Sequence, residues 1–147
     1  MPATRRSNIS LKKSPAFNVT RVSVGNERLV CAMIADKKFN YPKGRSRVAY
    51  IGTTKNGIFR LTSSVAERAN DILKLHGVES FDVRVITCPR RKHVKMWFKL
   101  EHTFIVAFRV HYGAPPKCND STDGQNPGTV FNFFARKRVM RVLEDLA

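Results

Sequence analysis

The pattern of hydrophobic and polar residues predicts two short strands in the first third of the chain. An apolar run follows Arg28, and a second, at residues 48–51, is stopped by Gly52. Apolar runs of this length between polar segments are typical of buried strands. Residues 36–47 are polar and contain a proline and a glycine, so they predict a hairpin loop that makes the two strands antiparallel.

The spacing of apolar residues predicts a helix and then a strand in the next part of the chain. Apolar residues recur at helical period after Ser64, which has capping-box spacing to Glu67, and Gly77 supplies a C-terminal stop. These signals predict a helix that starts at Ser64. Residues 81–86 alternate between apolar and polar positions, which predicts a strand with one buried face.

Two more helices are predicted in the second half. One covers residues 96–112 and is closed by Gly113, and the other begins near Thr129 and carries several basic residues. The order strand, strand, helix, strand, helix, helix predicts a small α/β (α+β) fold, with a mostly antiparallel sheet flanked by helices.

The domain organisation follows from the same pattern and the basic residues at both ends. We expect a basic, flexible arm at residues 1–22. The core is predicted at residues 23–120. A loop and a basic C-terminal helix at residues 121–147 are expected to pack on that core.

The charge balance changes the expected partner. The 147 residues include 27 Lys and Arg against 11 Asp and Glu, a formal net charge of +16. Such a surface favours a polyanion, because neutralising phosphates releases counterions. No apolar run is long enough to span a bilayer, and the polar N-terminus and odd number of cysteines favour a cytoplasmic location. The predicted nucleic-acid contacts are Lys12, Lys13, Lys43, Arg45, Arg90, Arg91, Lys92, Lys95, Arg136 and Lys137.

An acidic residue interrupts the apolar face of the helix at residues 96–112. Glu101 lies four residues after Trp97 and three before Phe104, and it is the only acidic residue between positions 82 and 120. Burying an unpartnered carboxylate costs several kcal/mol, so something must compensate. A hydrogen-bond network, a divalent cation, or an arginine such as Arg84 or Arg109 would each do so.

A tyrosine at a strand end and an arginine ten residues later add two candidate catalytic groups. Tyr50 ends the second strand, and Arg60 follows a turn-forming segment. A tyrosine acts as a base where nearby positive charge lowers its pKa, and an arginine fork matches a phosphate. Each residue also has an ordinary explanation, packing for Tyr50 and solvation for Arg60.

Together these segments resemble the GIY-YIG nuclease family over residues 28–119. The tripeptide Tyr50-Ile51-Gly52 stands as the family's second signature, and Arg60 follows at the family's spacing. Glu101 and its following residues look like the family's metal-binding glutamate on a helix, and the Pro116-Lys117-Cys118-Asn119 segment is similar to its closing Pro-x-x-Asn.

The resemblance implies a metal-dependent DNA endonuclease. Tyr50 would act as general base or orient the attacking water, and Arg60 would bind the scissile phosphate. Glu101 would hold a single divalent ion, Mg²⁺ or Mn²⁺, and Asn119 would brace the site. Lys55 would contact phosphate. The substrate would be double-stranded DNA, and a homodimer would allow both strands to be cut.

The first signature tripeptide is absent, because the strand after Arg28 has no tyrosine. Tyr41 is a candidate replacement from the loop, or the hairpin is longer than usual. Two alternatives therefore stay open. One is a catalytically degenerate DNA- or RNA-binding protein on the same fold, and the other is a small RNA-binding protein whose motif match is chance.

Overall fold

The computed structural model describes residues 6–13, 15, 29–54, 57–125 and 130–147, without the side chains of residues 54, 57–60 and 130. Within these ranges the fold is a small α+β domain, as predicted, with a three-stranded antiparallel sheet in the order β2-β1-β3. Its elements are β1 (Leu29–Tyr41), β2 (Gly44–Thr54), α1 (Gly57–Leu73), β3 (Phe81–Ile86), α2 (Met96–Tyr112), a 3₁₀ helix (Val130–Asn132) and α3 (Arg136–Leu146).

The β1–β2 hairpin corrects the predicted loop at residues 36–47. Both strands continue through that segment, and only Pro42 and Lys43 separate them. The outer part of β1 buries Phe39 and Tyr41 while the residue between them is exposed, so this half of the strand is one-sided. Among the polar residues that suggested a loop, Asp36, Lys38 and Asn40 of β1 are exposed, whereas Ser46 of β2 is buried.

Helix α1 begins at Gly57, seven residues before the predicted start, so Ser64 lies inside the helix and does not cap it. Of the apolar residues at helical period, Val65 and Ile72 are buried as expected, Ala69 is partly buried, and Leu73 is 45% exposed. The helix ends at Leu73. Gly77 lies in the following turn with φ +79°, a left-handed conformation that favours glycine.

Helix α2 spans the predicted residues and forms the centre of the core. Gly113 adopts φ +85° and its N–H donates to the Arg109 carbonyl at 2.8 Å, which ends the helix as predicted. Phe108 is completely buried and meets the Tyr41 ring edge-on at 5.1 Å between centroids. This packing ties α2 to the hairpin.

Helix α3 begins at Arg136, not near Thr129, because Ala135 is extended and separates it from the 3₁₀ helix. Its buried residues are Val139, Leu143 and Leu146, which pack on α2 and the sheet. No helix formed by the described residues is long and apolar enough to cross a bilayer.

Candidate functional site

The end of β2 places Tyr50 and Gly52 opposite two β1 residues. Tyr50 pairs with Met33 and Gly52 pairs with Cys31. The Tyr50 side chain lies back over Gly52, so closely that a Cβ at position 52 would be 2.4 Å from the tyrosine hydroxyl oxygen. Only glycine fits beneath this ring, which gives the tripeptide glycine a packing reason of its own.

Arg68 of α1 is a neighbour of Tyr50 that the sequence reasoning missed. Its guanidinium carbon lies 4.5 Å from the centroid of the Tyr50 ring, and its side chain is hydrogen-bonded to Tyr50. It also contacts the Asp71 carboxylate at 4.0 Å. Arg68 comes three residues after buried Val65 and four before buried Ile72, so it interrupts an apolar stripe as Glu101 does.

The electrostatics of Tyr50 differ from the expectation that positive charge lowers its pKa. Burial raises the pKa of Tyr50, and the charge of and hydrogen bond from Arg68 offset this only in part. Cys31 and Glu101 raise it further. The phenol is therefore protonated at neutral pH, which favours the second of its two expected roles, orienting a water molecule.

Glu101 of α2 is half-buried, and its carboxylate accepts hydrogen bonds from the side chain and backbone of Thr53. Burial still raises the pKa of Glu101, so these bonds do not fully compensate for desolvation. Arg109 does not supply the expected ion pair, because it donates to the carbonyls of Ser121 and Asp123 at 2.8 and 3.0 Å. Thr53 is the partner that the sequence reasoning missed.

The surroundings of Glu101 fit a divalent ion bound largely by groups outside the protein. The described residues form no group of three or more His, Cys, Asp or Glu that could hold a metal. The charge of Asp123 raises the pKa of Glu101, so a second carboxylate is near. One or two carboxylates suit Mg²⁺, which completes its shell with water and substrate phosphate.

Asn119 is hydrogen-bonded to the outer edge of β2. Its amide group donates to the Ile51 carbonyl at 2.8 Å and accepts from the Ile51 N–H at 3.0 Å. It also donates to the Asp123 carboxylate at 3.1 Å. One side chain thus links the strand that carries Tyr50 to the turn near Glu101.

Tyr41 lies in the core, which corrects its suggested role as a loop tyrosine that replaces the first signature. Its hydroxyl donates to the Val48 carbonyl at 2.7 Å and accepts from the Lys117 N–H at 3.1 Å. Burial also raises the pKa of Tyr41 well above its ordinary value. Cys31, which faces Gly52, is no substitute base, since burial raises the pKa of its thiol to about 11.

Two further predicted site residues, Arg60 and Lys55, fall at the edge of the described part of the chain or outside it. Arg60 lies in the first turn of α1, four residues before the predicted helix start, but its side chain is outside the described part of the chain. Lys55 lies outside the described residues altogether. Among the described side chains, Arg68 of α1 contacts Tyr50 of β2, and the charge of Glu101 on α2 raises the pKa of Tyr50.

The predicted nucleic-acid contacts are all exposed and fall into separate groups. Arg91 lies over the Phe133 ring at 5.8 Å and Arg136 over the Phe131 ring at 5.7 Å, so the loop before α2 and the start of α3 form one surface. Lys43 lies at the other end of α2, where its backbone N–H bonds to the last helical carbonyl. Helix α2 separates these groups by roughly 25 Å. Arg45 is at the Lys43 end, Arg90, Lys92, Lys95 and Lys137 are at the opposite end, and Lys12 and Lys13 are in the N-terminal segment.

The chain matches no protein-family model, no curated protein and no solved structure. The resemblance to GIY-YIG nucleases therefore depends on the residues and on their arrangement alone.

Proposed function

We propose that this protein is a metal-dependent DNA endonuclease that hydrolyses phosphodiester bonds at the site containing Tyr50, Arg60 and Glu101. One observation carries the proposal. The guanidinium of Arg68 from α1 and the undercompensated carboxylate of Glu101 from α2 both act on the pKa of the Tyr50 phenol from β2. Phosphodiester hydrolysis uses these groups to orient a nucleophile, bind phosphate and hold a cation.

Each group has a distinct role in this mechanism. The protonated hydroxyl of Tyr50 orients the attacking water by hydrogen bonding. Arg68 holds the Tyr50 ring in place, and Arg60 binds the scissile phosphate. Glu101 holds the divalent ion, which when bound would stabilise the charge that develops on the phosphate and leaving oxygen. Asn119 keeps the end of β2 in register with these groups.

The second candidate function is DNA binding without catalysis. A specific observation favours it, because the β1 residues that face Tyr50 and Gly52 are Met33 and Cys31. Neither side chain accepts a proton at neutral pH, since burial raises the pKa of the Cys31 thiol. A site that requires a second tyrosine on β1, opposite Tyr50 or Gly52, for proton transfer would therefore bind DNA without cleaving it.

A plasmid assay with a matched variant separates the two functions. Supercoiled plasmid is incubated with the protein in Mg²⁺ or Mn²⁺, and in EDTA. We expect nicking or linearisation that requires the metal and falls by about 100-fold or more in Glu101→Gln, because a metal contributes several kcal/mol to such a reaction. Glu67→Gln, an exposed carboxylate of α1, is the control and should cleave normally.

Two outcomes would contradict the nuclease proposal. Cleavage at equal rates in Glu101→Gln or in EDTA would remove Glu101 from the chemistry. Tight binding of plasmid with no cleavage in either metal would support the binding-only function.

A further inference from the structure

An aromatic surface beside Glu101 is exposed to solvent. Phe98 of α2 is 50% exposed, although the same helix buries the large residues Leu100, Phe104 and Phe108. The Phe98 ring is parallel to that of His102, with 9° between the planes and 6.5 Å between the centroids. The exposed ring is therefore paired with a second ring at the surface and is not part of the core.

Cations lie over the rings of two phenylalanines in the segment that precedes α3, and one of these cations, Lys99, directly follows Phe98 in α2. Lys99 of α2 and Arg91 of the preceding loop lie over the Phe133 ring at 5.3 and 5.8 Å. Arg136 of α3 lies over the Phe131 ring at 5.7 Å. We refer to Phe98, His102, Phe131 and Phe133, with Arg91, Lys99 and Arg136, as the aromatic–cation surface.

This surface is adjacent to the proposed catalytic carboxylate. Phe98 precedes Glu101 by three residues, and His102 follows it directly, so the three side chains share one side of α2. Side chains three or four residues apart on a helix have their Cβ atoms about 5–6 Å from each other. A group resting on Phe98 would therefore lie one helical turn from Glu101.

The combination of aromatic faces and cations identifies the chemistry of the ligand. In duplex DNA each base face is covered by its neighbours, and a protein reaches only base edges and phosphates. An exposed ring binds a base face only where the base is unpaired, while cations bind the adjoining phosphates. An anionic membrane would also attract these cations, but membrane binding uses a continuous apolar helix face, and Phe98 and Val110 are the only exposed large apolar side chains of α2.

We propose that the aromatic–cation surface binds an unpaired base of a DNA strand next to the cleaved phosphate. The substrate is then DNA with a single-stranded segment, a gap, a frayed end or the locally unpaired segments of a supercoiled plasmid, not relaxed and fully paired duplex. The position of the cut depends on the nuclease function proposed above, whereas binding of the unpaired base does not.

Trp97 provides an internal reporter for this binding. It is the only tryptophan of the chain, and its ring meets Phe98 edge-on at 5.9 Å. A base stacked on Phe98 should change Trp97 fluorescence. The test titrates the full-length Glu101→Gln protein in EDTA with a 12-nucleotide single strand of DNA and with the matching duplex, so that no cleavage interferes.

Phe98→Ala should weaken single-strand binding by about 5- to 150-fold and leave duplex binding unchanged, because stacking on an aromatic ring contributes that much per base. Phe98→Tyr should keep the affinity, and Phe98→Leu should lose it although apolar area is retained. Val110→Ala is the matched control, since Val110 is a 53% exposed apolar residue of the same helix and should change nothing.

The proposal is overturned if Phe98→Ala affects single strand and duplex equally or affects neither. Equal or tighter binding of a single strand of RNA would also overturn the assignment to DNA. The plasmid assay is independent of these titrations. Phe98-dependent binding without plasmid cleavage would therefore support base binding while contradicting the nuclease function.

Discussion

At the scale of single residues, the candidate site contains two charged side chains placed where hydrophobic residues belong. Arg68 interrupts the buried stripe of α1, and Glu101 interrupts that of α2. Each is only half-exposed, so each depends on partners from β2. Arg68 stacks on Tyr50, and Glu101 bonds to Thr53. Strand β2 thereby supplies a partner to each of the two charged side chains.

We expect Glu101→Gln to stabilise the metal-free protein at pH 7.5. Burial raises the pKa of Glu101 above its ordinary 4.5, so folding favours the protonated form. The favourable contribution of protonated Glu101 to the free energy of unfolding is complete below pH 4.5, and it is lost as pH rises through the folded-state pKa of this carboxyl group. The advantage of glutamine should therefore be present at pH 7.5 and absent near pH 4.

Thermal unfolding in EDTA, followed by circular dichroism at both pH values, measures this difference. Glu67→Gln serves as the exposed control and should show no comparable pH dependence. A lower Tm for Glu101→Gln at pH 7.5 would show that the carboxylate is well compensated in the folded protein.

We expect Arg68→Met to raise the pKa of Tyr50 further, because the charge and hydrogen bond of Arg68 both lower it. Arg68→Lys should give a smaller rise, since it keeps the charge but not the planar stack. A titration of protein labelled with ¹³C at the tyrosine ζ carbon measures the shift, and Tyr50→Phe assigns the signal. An unchanged Tyr50 titration in Arg68→Met would mean that the two side chains are not coupled in solution.

At the scale of elements, β2 is an edge strand whose outer side is covered by a short segment of chain. The Cys118 N–H donates to the Ala49 carbonyl at 2.8 Å, and the Asn119 side chain bonds twice to Ile51. These bonds satisfy backbone groups that an edge strand would otherwise leave open. They also hold the Asp123 turn near Glu101.

We expect Asn119→Ala to lower the free energy of unfolding by about 1–3 kcal/mol, because two backbone groups of Ile51 lose their partners. Ile51 is fully buried, so water does not readily replace the amide. Urea unfolding measures the loss. Asn40→Ala, an exposed position of β1, is the control, and an equal change in both variants would contradict the bracing role.

At the scale of the whole molecule, the net charge of +16 is distributed over separate basic regions. The loop before α2 and the start of α3 carry cations over the neighbouring rings of Phe133 and Phe131, and Lys99 from the first turn of α2 also lies over Phe133. The hairpin tip is at the far end of α2. Net charge alone attracts a polyanion, but the place of each cation in the fold decides whether it contacts the polyanion near the candidate site.

We expect the salt dependence of DNA binding to distinguish these regions. The double variant Arg91→Ala with Arg136→Ala should reduce the slope of log K against log salt by roughly 2, because each phosphate contact contributes about 0.9. Lys43→Ala with Arg45→Ala removes the same charge from the hairpin tip and should have the smaller effect. Fluorescence anisotropy at several salt concentrations measures both slopes, and equal changes would indicate that only net charge matters.

The sequence by itself determined the features that depend on neighbours within one element. Helical spacing predicted α2 and identified Glu101 as a charged residue within its apolar face. Alternation of apolar and polar residues predicted β3, and Gly113 predicted the end of α2. These patterns are local, because a helix or strand presents one face every few residues. The same reasoning would have singled out Arg68 had it been applied to α1.

Only the tertiary structure decided which distant residues meet. Asn119 and Ile51 are 68 positions apart, and Arg68 and Tyr50 are 18 apart. The polar half of the β1–β2 hairpin was misread as a loop, because its strand pairing comes from the partner strand and not from local composition. The pKa of Tyr50 is likewise raised by burial, a property that depends on how the elements pack and that no periodicity reveals.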